Sequence, residues 1–319
     1  MTEPLAADVA GAHVVAHSAP MRDLLAVLAR LCEARSPVLF EGESGTGKDL
    51  LALRLHYGGP RRDGAFIKIH CPSIPDDLLE SELFGHEKGA FTDAQKTKVG
   101  KIEMAAGGTV YFDQVQELTP ALQAKLLRVV EEKRFERIGG TRTIDVDVRF
   151  VASSSTDLRK AIASGTFRED LYHRLGVVPL SLPPLRDRRE DILPLAELFL
   201  ARERERKATR ATGFDAAAAE LLRGYLWPGN VRELRSAVER AALLTTGDTV
   251  AASALPAHLV EQPATLWAGR ERRPTLKDVE QAYIRHILDQ TGGSQTRAAS
   301  LLGISRKALW EKRRRYGIP

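Results

Sequence analysis

The chain has 319 residues, 28% of them charged and 43% hydrophobic, which is the composition of a globular protein and excludes a disordered or fibrous one. No apolar run approaches the roughly 18 residues of a membrane span, and the N-terminus lacks a basic-then-apolar leader, so a cytoplasmic protein with no membrane partner is expected. The two cysteines, Cys32 and Cys71, sit in no CxxC or His-rich cluster, which argues against a disulfide framework or a zinc site. From Thr275 to Pro319 nine Lys/Arg stand against four Asp/Glu, an excess equal to the whole chain's net charge of +5. That end is expected to meet a polyanion.

In chain order, residues 1–17 are Ala-rich and aperiodic and read as a tail. Leu24, Leu25, Leu28 and Leu31 recur at helical spacing between Met21 and Cys32. The apolar run 37–41, followed by glycine, predicts a buried strand, and a helix is expected from Lys48 to Tyr57. Residues 66–70, 109–113 and 146–152 are the next strand candidates. Thr119-Pro120 opens a helix in which Leu122, Leu126 and Val129 share a face. Strands alternating with helices predict an α/β fold with a parallel sheet covered on both faces. Beyond Pro183-Pro184 the pattern turns helical, over 191–208, 215–225 and 230–244. Residues 261–274 read as a linker, and a last all-α unit runs from Thr275 to the end.

The segment Gly42-Glu43-Ser44-Gly45-Thr46-Gly47-Lys48 fits GxxxxGK between a predicted strand and a predicted helix. Its glycines let backbone N–H groups curl round phosphates, the helix start adds partial positive charge, and Lys48 reaches the β/γ oxygens. The next position, which usually ligates magnesium through Ser or Thr, is Asp49. Asp113 ends an apolar strand at the distance expected of the acid that organises Mg2+ on the nucleotide. ATP and Mg2+ are therefore the expected cofactors.

GESGTGKD at 42–49, ESELFGHEKGAFTDA at 80–94, GGTVYFD at 107–113, LQAKLLRVVEE at 122–132, FREDLYHRL at 167–175 and WPGNVREL at 227–234 follow one another. Together they closely resemble the central AAA+ domain of sigma-54-dependent activators, the bacterial enhancer-binding proteins, over about residues 15–258. The resemblance implies a P-loop nucleotide-binding subdomain at 18–187 and a helical lid at 188–260. It also implies a ring-shaped homo-oligomer, usually a hexamer, with ATP between subunits. Gly89, Ala90, Phe91, Thr92, Asp93 and Ala94 look like the family's GAFTGA loop, which contacts sigma-54 RNA polymerase. Arg168 and Arg174 match its arginine-finger region, and Arg232 its second sensor on the lid. A guanidinium from a neighbouring subunit neutralises charge developing on the γ-phosphate.

Several positions depart from the family pattern. Gln114 replaces the Glu that polarises the attacking water; an amide orients water but cannot take its proton. His70 stands where the family has Asn, Ser154-Ser155 where the first sensor reads Thr-Asn, and Asp93 where the loop has Gly. The binding half of the pocket is thus kept while the hydrolytic half is altered. Two readings remain open: an ATPase that drives sigma-54 polymerase, and a DNA-binding regulator for which ATP is an assembly ligand with weak turnover. No receiver or ligand-sensing segment is recognised ahead of residue 18, so control by a partner protein, by expression level or by nucleotide is expected.

Residues 295–316 read as a helix-turn-helix: Ala298, Ala299, Leu301 and Leu302 form an apolar first helix, Gly303 the turn, and Ser305 the N-cap of the second. Leu309 and Tyr316 face inward; Arg306 lies near the helix start, and Lys307, Trp310, Arg314 and Arg315 are left free for a major groove of double-stranded DNA. The stretch resembles the Fis-type domain of the same activators, which implies an upstream DNA site and dimerisation through residues 275–290.

Overall fold

The computed structural model describes residues 14–92, 94–260, 275–291 and 294–318. The expected linker 261–274, most of the expected tail (1–13) and Asp93 lie outside the described residues. The chain divides into two compact units, one of residues up to 199 together with 226–236, the other of 200–225 and 237 onward.

The first unit is built on five parallel strands: β1 (Val38–Glu41), β2 (Phe66–His70), β3 (Thr109–Asp113), β4 (Arg149–Ser154) and β5 (Val178–Ser181), in the spatial order β2-β3-β4-β1-β5. Every residue of β3 and β4 is buried, as a central strand covered on both faces requires. β4 starts three residues later than the pattern suggested and reaches Ser154, which pairs with Glu41 at the end of β1. β5 is an addition to the expected strands. Pro179 disguises it, since proline cannot donate to a ladder; it is tolerated because β5 is an edge strand that pairs only with β1.

Helix α1 (Ala19–Cys32) buries Met21, Leu24, Leu28 and Cys32. Ahead of it, Val14 packs on the same apolar cluster, and Asp191, fully buried, accepts the N–H of His17 at 2.6 Å and the N–H and hydroxyl of Ser18 at 2.8 Å each. Residues 14–17, at the end of the expected tail, are therefore fastened to the unit. Helix α2 (Lys48–Tyr57) follows Gly47, and α3 (Asp76–Phe84) follows β2. Helix α4 (Pro120–Glu132) begins on its proline and buries Leu122, Leu126 and Val129. Helix α5 (Glu169–Leu175) buries Leu171, Tyr172 and Leu175.

Two short antiparallel ribbons, Gly85–His86 with Lys98–Val99 and Arg134–Glu136 with Thr143–Asp145, flank the segment around residue 91. A bridge from His86 to Ile138 joins them. Arg137 locks the junction, with its guanidinium on Glu103 at 2.8 Å and on Glu87 at 2.9 Å.

Helices α6 (Ile192–Glu205), α7 (Ala216–Gly224) and α8 (Asn230–Leu244) follow. Asp215 caps α7 by accepting the N–H of Ala218 at 2.7 Å. Near the C-terminus come α9 (Leu276–Gln290), α10 (Gln295–Leu301) and α11 (Arg306–Tyr316). They share an apolar core of Ile284, Ile287, Leu288, Ala298, Ala299, Leu309, Tyr316 and Ile318. No helix among the described residues is long and apolar enough to cross a membrane.

Candidate functional site

The carboxyl ends of β1, β3 and β4 bring Glu41, Asp113 and Ser154 to one edge of the sheet, where open α/β sheets take their ligands. The glycine-rich loop 42–47 leads from β1 into α2. Gly45 has φ +78°, and a Cβ on it would meet the carbonyl oxygen of Gly229 at 2.4 Å. Gly47, at φ +109°, has open space where a Cβ would stand, so the loop's concave side is free for a ligand. Lys48 is buried, and its ammonium donates to the carbonyls of Gly42 at 2.6 Å and Glu43 at 2.9 Å. Burial holds its pKa below the ordinary lysine value. An entering phosphate would exchange these carbonyls for a full negative charge.

The loop is held from behind by residues that motif reasoning missed. The buried Arg188 guanidinium donates to the carbonyl of Thr46 at 2.7 Å. Asn230, fully buried, donates to Glu43 Oε2 and to the carbonyl of Ser44, both at 3.0 Å, while its Oδ1 accepts the N–H of Leu185 at 2.8 Å. Arg186 grips Glu43 at 2.6 and 2.9 Å. The hydrogen bonds from Arg186 and then Asn230 hold the Glu43 carboxyl down at about 2. Arg232 donates to Ser44 Oγ at 2.9 Å, which ties the expected sensor to the loop.

On the acidic side, Asp49 and Asp113 are bridged by Lys68, whose ammonium lies 2.6 Å from Asp49 Oδ2 and 3.0 Å from Asp113 Oδ2. Tyr111 donates its hydroxyl to the other oxygen of Asp49 at 2.8 Å. His70 Nδ1 lies 2.9 Å from Asp113 Oδ2, and Ser153 donates to Asp113 Oδ1 at 2.9 Å. Burial opposes the charge on Asp113, but the hydrogen bond and charge of Lys68, with Ser153 and His70, bring its pKa below the usual carboxylate range. Burial likewise disfavours the Lys68 ammonium, and the two carboxylates outweigh it, raising its pKa. The Mg2+ expected at Asp113 would meet occupied acids: each carboxylate oxygen of Asp49 and Asp113 accepts from a protein donor, so a metal there must displace the Lys68 ammonium or bind beside it. Among the described residues no group of three or more His, Cys, Asp or Glu side chains is placed to hold a metal.

Gln114 follows Asp113 in the left-handed region, at φ +62°, with its N–H on Ser153 Oγ at 3.2 Å. A non-glycine residue held there is strained. The Ser154 hydroxyl turns to the carbonyl of Thr156 at 2.7 Å, whereas Ser155 accepts from Gln116 Nε2 at 2.9 Å. Arg168 and Arg174 hydrogen-bond acids of their own unit, Asp170 and Glu131, each at 2.6 Å, and both are well exposed.

In the loop that resembles GAFTGA, Gly89 N–H reaches Ala94 O at 2.8 Å and Ala94 N–H reaches Phe91 O at 3.0 Å, so it closes tightly with Ala94 buried. The Phe91 side chain stands 42% exposed at the tip with its ring edge-on to His86, and Thr92 is exposed beside it. In the second unit, Ser305 Oγ caps α11 by accepting the N–H of Ala308 at 3.1 Å, and Gly303 turns at φ +66°. Arg306, Lys307, Trp310, Arg314 and Arg315 are all exposed, with Arg314 over the Trp310 ring. Leu301, expected in the apolar face of the first helix, is instead exposed at the end of α10.

Comparison with known proteins agrees with this geometry. The model of the sigma-54 interaction domain matches residues 14–181, that of the AAA+ ATPase lid domain 186–271, and that of the Fis-family bacterial regulatory protein 275–316. The regulatory protein AtoC of Escherichia coli (strain K12) is 45% identical over 314 residues, 96% of this chain and 68% of that protein. The transcriptional regulatory protein ZraR of Klebsiella oxytoca is 44% identical over 300 residues, 94% and 68% of the two chains. Among solved structures, NtrX from Brucella abortus in complex with ATP superposes with a TM-score of 0.74 at 35% identity, over 98% of this chain and 71% of that one.

Proposed function

The chain belongs to the sigma-54-dependent transcriptional regulators, with an AAA+ nucleotide-binding module and a Fis-type helix-turn-helix, and we propose that it works as an ATP-loaded homo-oligomeric ring, a hexamer, in the cytoplasm. In this reading α11 places Arg306, Lys307, Trp310, Arg314 and Arg315 in the major groove of an upstream site, with Ser305 capping the helix. The C-terminal domain pairs as a dimer through 275–290. Residues 89–94, with Phe91 at the tip, grip sigma-54 and remodel the polymerase. The single observation that carries the reading is the glycine-rich loop, braced from behind by Arg188 and Asn230 and lined by a buried Lys48 ammonium that donates to the carbonyls of Gly42 and Glu43. NtrX, a relative by sequence and fold, has been crystallised with ADP and with ATP.

Lys48, Arg232 and the loop N–H groups bind and orient the phosphates, and Arg168 and Arg174 of one protomer exchange their acidic partners for the γ-phosphate in the next. Hydrolysis needs a water oxygen to attack the γ-phosphorus while the bond to the bridging oxygen breaks. Gln114 can orient that water but takes no proton from it.

A second reading, in which ATP is mainly an assembly ligand, is favoured by the lack of a carboxylate at position 114 and by the hydrogen bonds that occupy Asp113. Steady-state ATP turnover, with and without DNA, separates the two. A rise of about tenfold or more in Gln114→Glu, equivalent to about 1.4 kcal/mol of barrier, supports the ligand reading. Turnover of the parent at or above that of the variant supports the motor. Failure of the protein to bind ATP or ADP, or to assemble with either, overturns both.

A further inference from the structure

The acidic half of the pocket holds a cation of its own. Lys68 lies on β2 in register with Tyr111 on β3, and that register aims its side chain at the two carboxylates of the nucleotide site. The ammonium bridges Asp49 at 2.6 Å and Asp113 at 3.0 Å. Asp49 is completed by the Tyr111 hydroxyl, and Asp113 by Ser153 and His70. A magnesium ion demands near-octahedral oxygen ligands at about 2.1 Å, which at nucleotide sites come from one or two carboxylates, several waters and the phosphates themselves. Asp49 and Asp113 are already on Lys68, and a metal sharing their oxygens would sit in contact with an ammonium of like charge.

We propose that Lys68 is the resident counter-cation of this site, standing where a divalent metal would otherwise bridge Asp49 and Asp113, so that the chain takes up a nucleoside triphosphate without requiring magnesium. The proposal rests on the nucleotide-binding reading above. Lys48 meets the phosphates from the loop side and Lys68 balances the acids on the other, which spares the incoming polyanion their repulsion. Lys68 is a positioning residue here: it sets the charge of the pocket floor and need not touch the ligand.

The test titrates the full chain with AMP-PNP, an ATP analogue with an imido-linked γ-phosphate, in excess EDTA and in millimolar magnesium chloride. For the parent protein the two dissociation constants are expected to agree within about threefold; for Lys68→Met, magnesium is expected to tighten binding by about tenfold or more. Without nucleotide, magnesium should raise the melting temperature of Lys68→Met, whose two acids are then unneutralised, and leave the parent's unchanged. Tightening of the parent by tenfold or more with magnesium overturns the proposal while the nucleotide reading stands, and so does an identical metal response in parent and variant. Absence of binding in both buffers overturns the nucleotide reading itself. The parent titrations decide the matter even if Lys68→Met folds poorly.

Discussion

Asn230 offers the sharpest test of how the phosphate loop is held. It is fully buried, sits at φ +53°, and makes three hydrogen bonds, to Glu43, to the carbonyl of Ser44 and from the N–H of Leu185. In Asn230→Ala the buried Leu185 N–H loses its acceptor, which costs about 1–3 kcal/mol, and the two lost donations add about 1 kcal/mol, since Glu43 keeps Arg186. Alanine at positive φ adds roughly 1 kcal/mol more than asparagine, which tolerates that region through its short polar side chain. The sum is a loss of about 3–5 kcal/mol. Asn230→Gly deletes the same hydrogen bonds without the backbone strain and should be about 1 kcal/mol more stable than the alanine variant. Urea unfolding of parent and both variants reads all three values, and nucleotide titration of the folded variants should show weaker binding, because the loop carbonyl at Ser44 is no longer fixed. An alanine variant within 1 kcal/mol of the parent, or a glycine variant less stable than the alanine one, would refute the reasoning.

Glu43 titrates at about 2 in the folded chain against an ordinary 4.5, so its ion pair contributes stability above the ordinary value and loses it as the pH falls from there toward 2. The side chain is 43% exposed, and solvent screening cuts the contribution to about 1 kcal/mol. The urea midpoints of parent and Glu43→Gln should therefore differ at neutral pH and converge in acid; a gap that persists or widens there refutes the assignment. Arg174→Ala should leave folding within about 0.5 kcal/mol, its pair with Glu131 being exposed, yet lower any ATP turnover about a thousandfold. Mixing it with Lys48→Ala protomers should restore part of that turnover if the finger acts between subunits, and no recovery argues for action within one chain. Lys307→Ala should reduce the slope of log affinity for DNA against log salt by about 1, measured by fluorescence anisotropy, and an unchanged slope places Lys307 off the phosphates.

The parts of this fold that the sequence made legible are those whose determinants are local. Glycines at fixed offsets before Lys48, alternating strand and helix patterns, and a Ser305 cap all act within a few residues, so spacing reveals them. β5 was hidden because Pro179 is read against a strand unless its edge position is known, and that position depends on pairing with β1, far away in sequence. Likewise Val146 and Val148 are buried core residues that an apolar pattern assigns to a strand, although β4 begins only at Arg149.

The pocket divides along the same line. The proposed phosphate binding rests on backbone N–H groups and one lysine of a contiguous segment, whose spacing makes it legible in the sequence. The groups that support or neutralise that segment come from remote positions: Lys68 lies 19 residues from Asp49, Arg188 142 from Thr46, and Asn230 187 from Glu43. A lysine at an alternate position of a strand reads as solvent-facing until the partner strand supplies Tyr111 and Asp113 beside it. The consequence is chemical. Taken one at a time, Gln114, His70 and Ser155 are separate departures on the hydrolytic side, and Gln114 is the one that replaces a base by an amide. In the folded chain the acid next to it is held by Lys68, His70 and Ser153 as well, so under the proposed function position 114 and the charge balance at Asp113 would bear on the same γ-phosphate. Effects of residues that act as a unit do not add, and a carboxylate restored at 114 should therefore raise turnover by a different factor when Lys68 is also replaced than when it is kept.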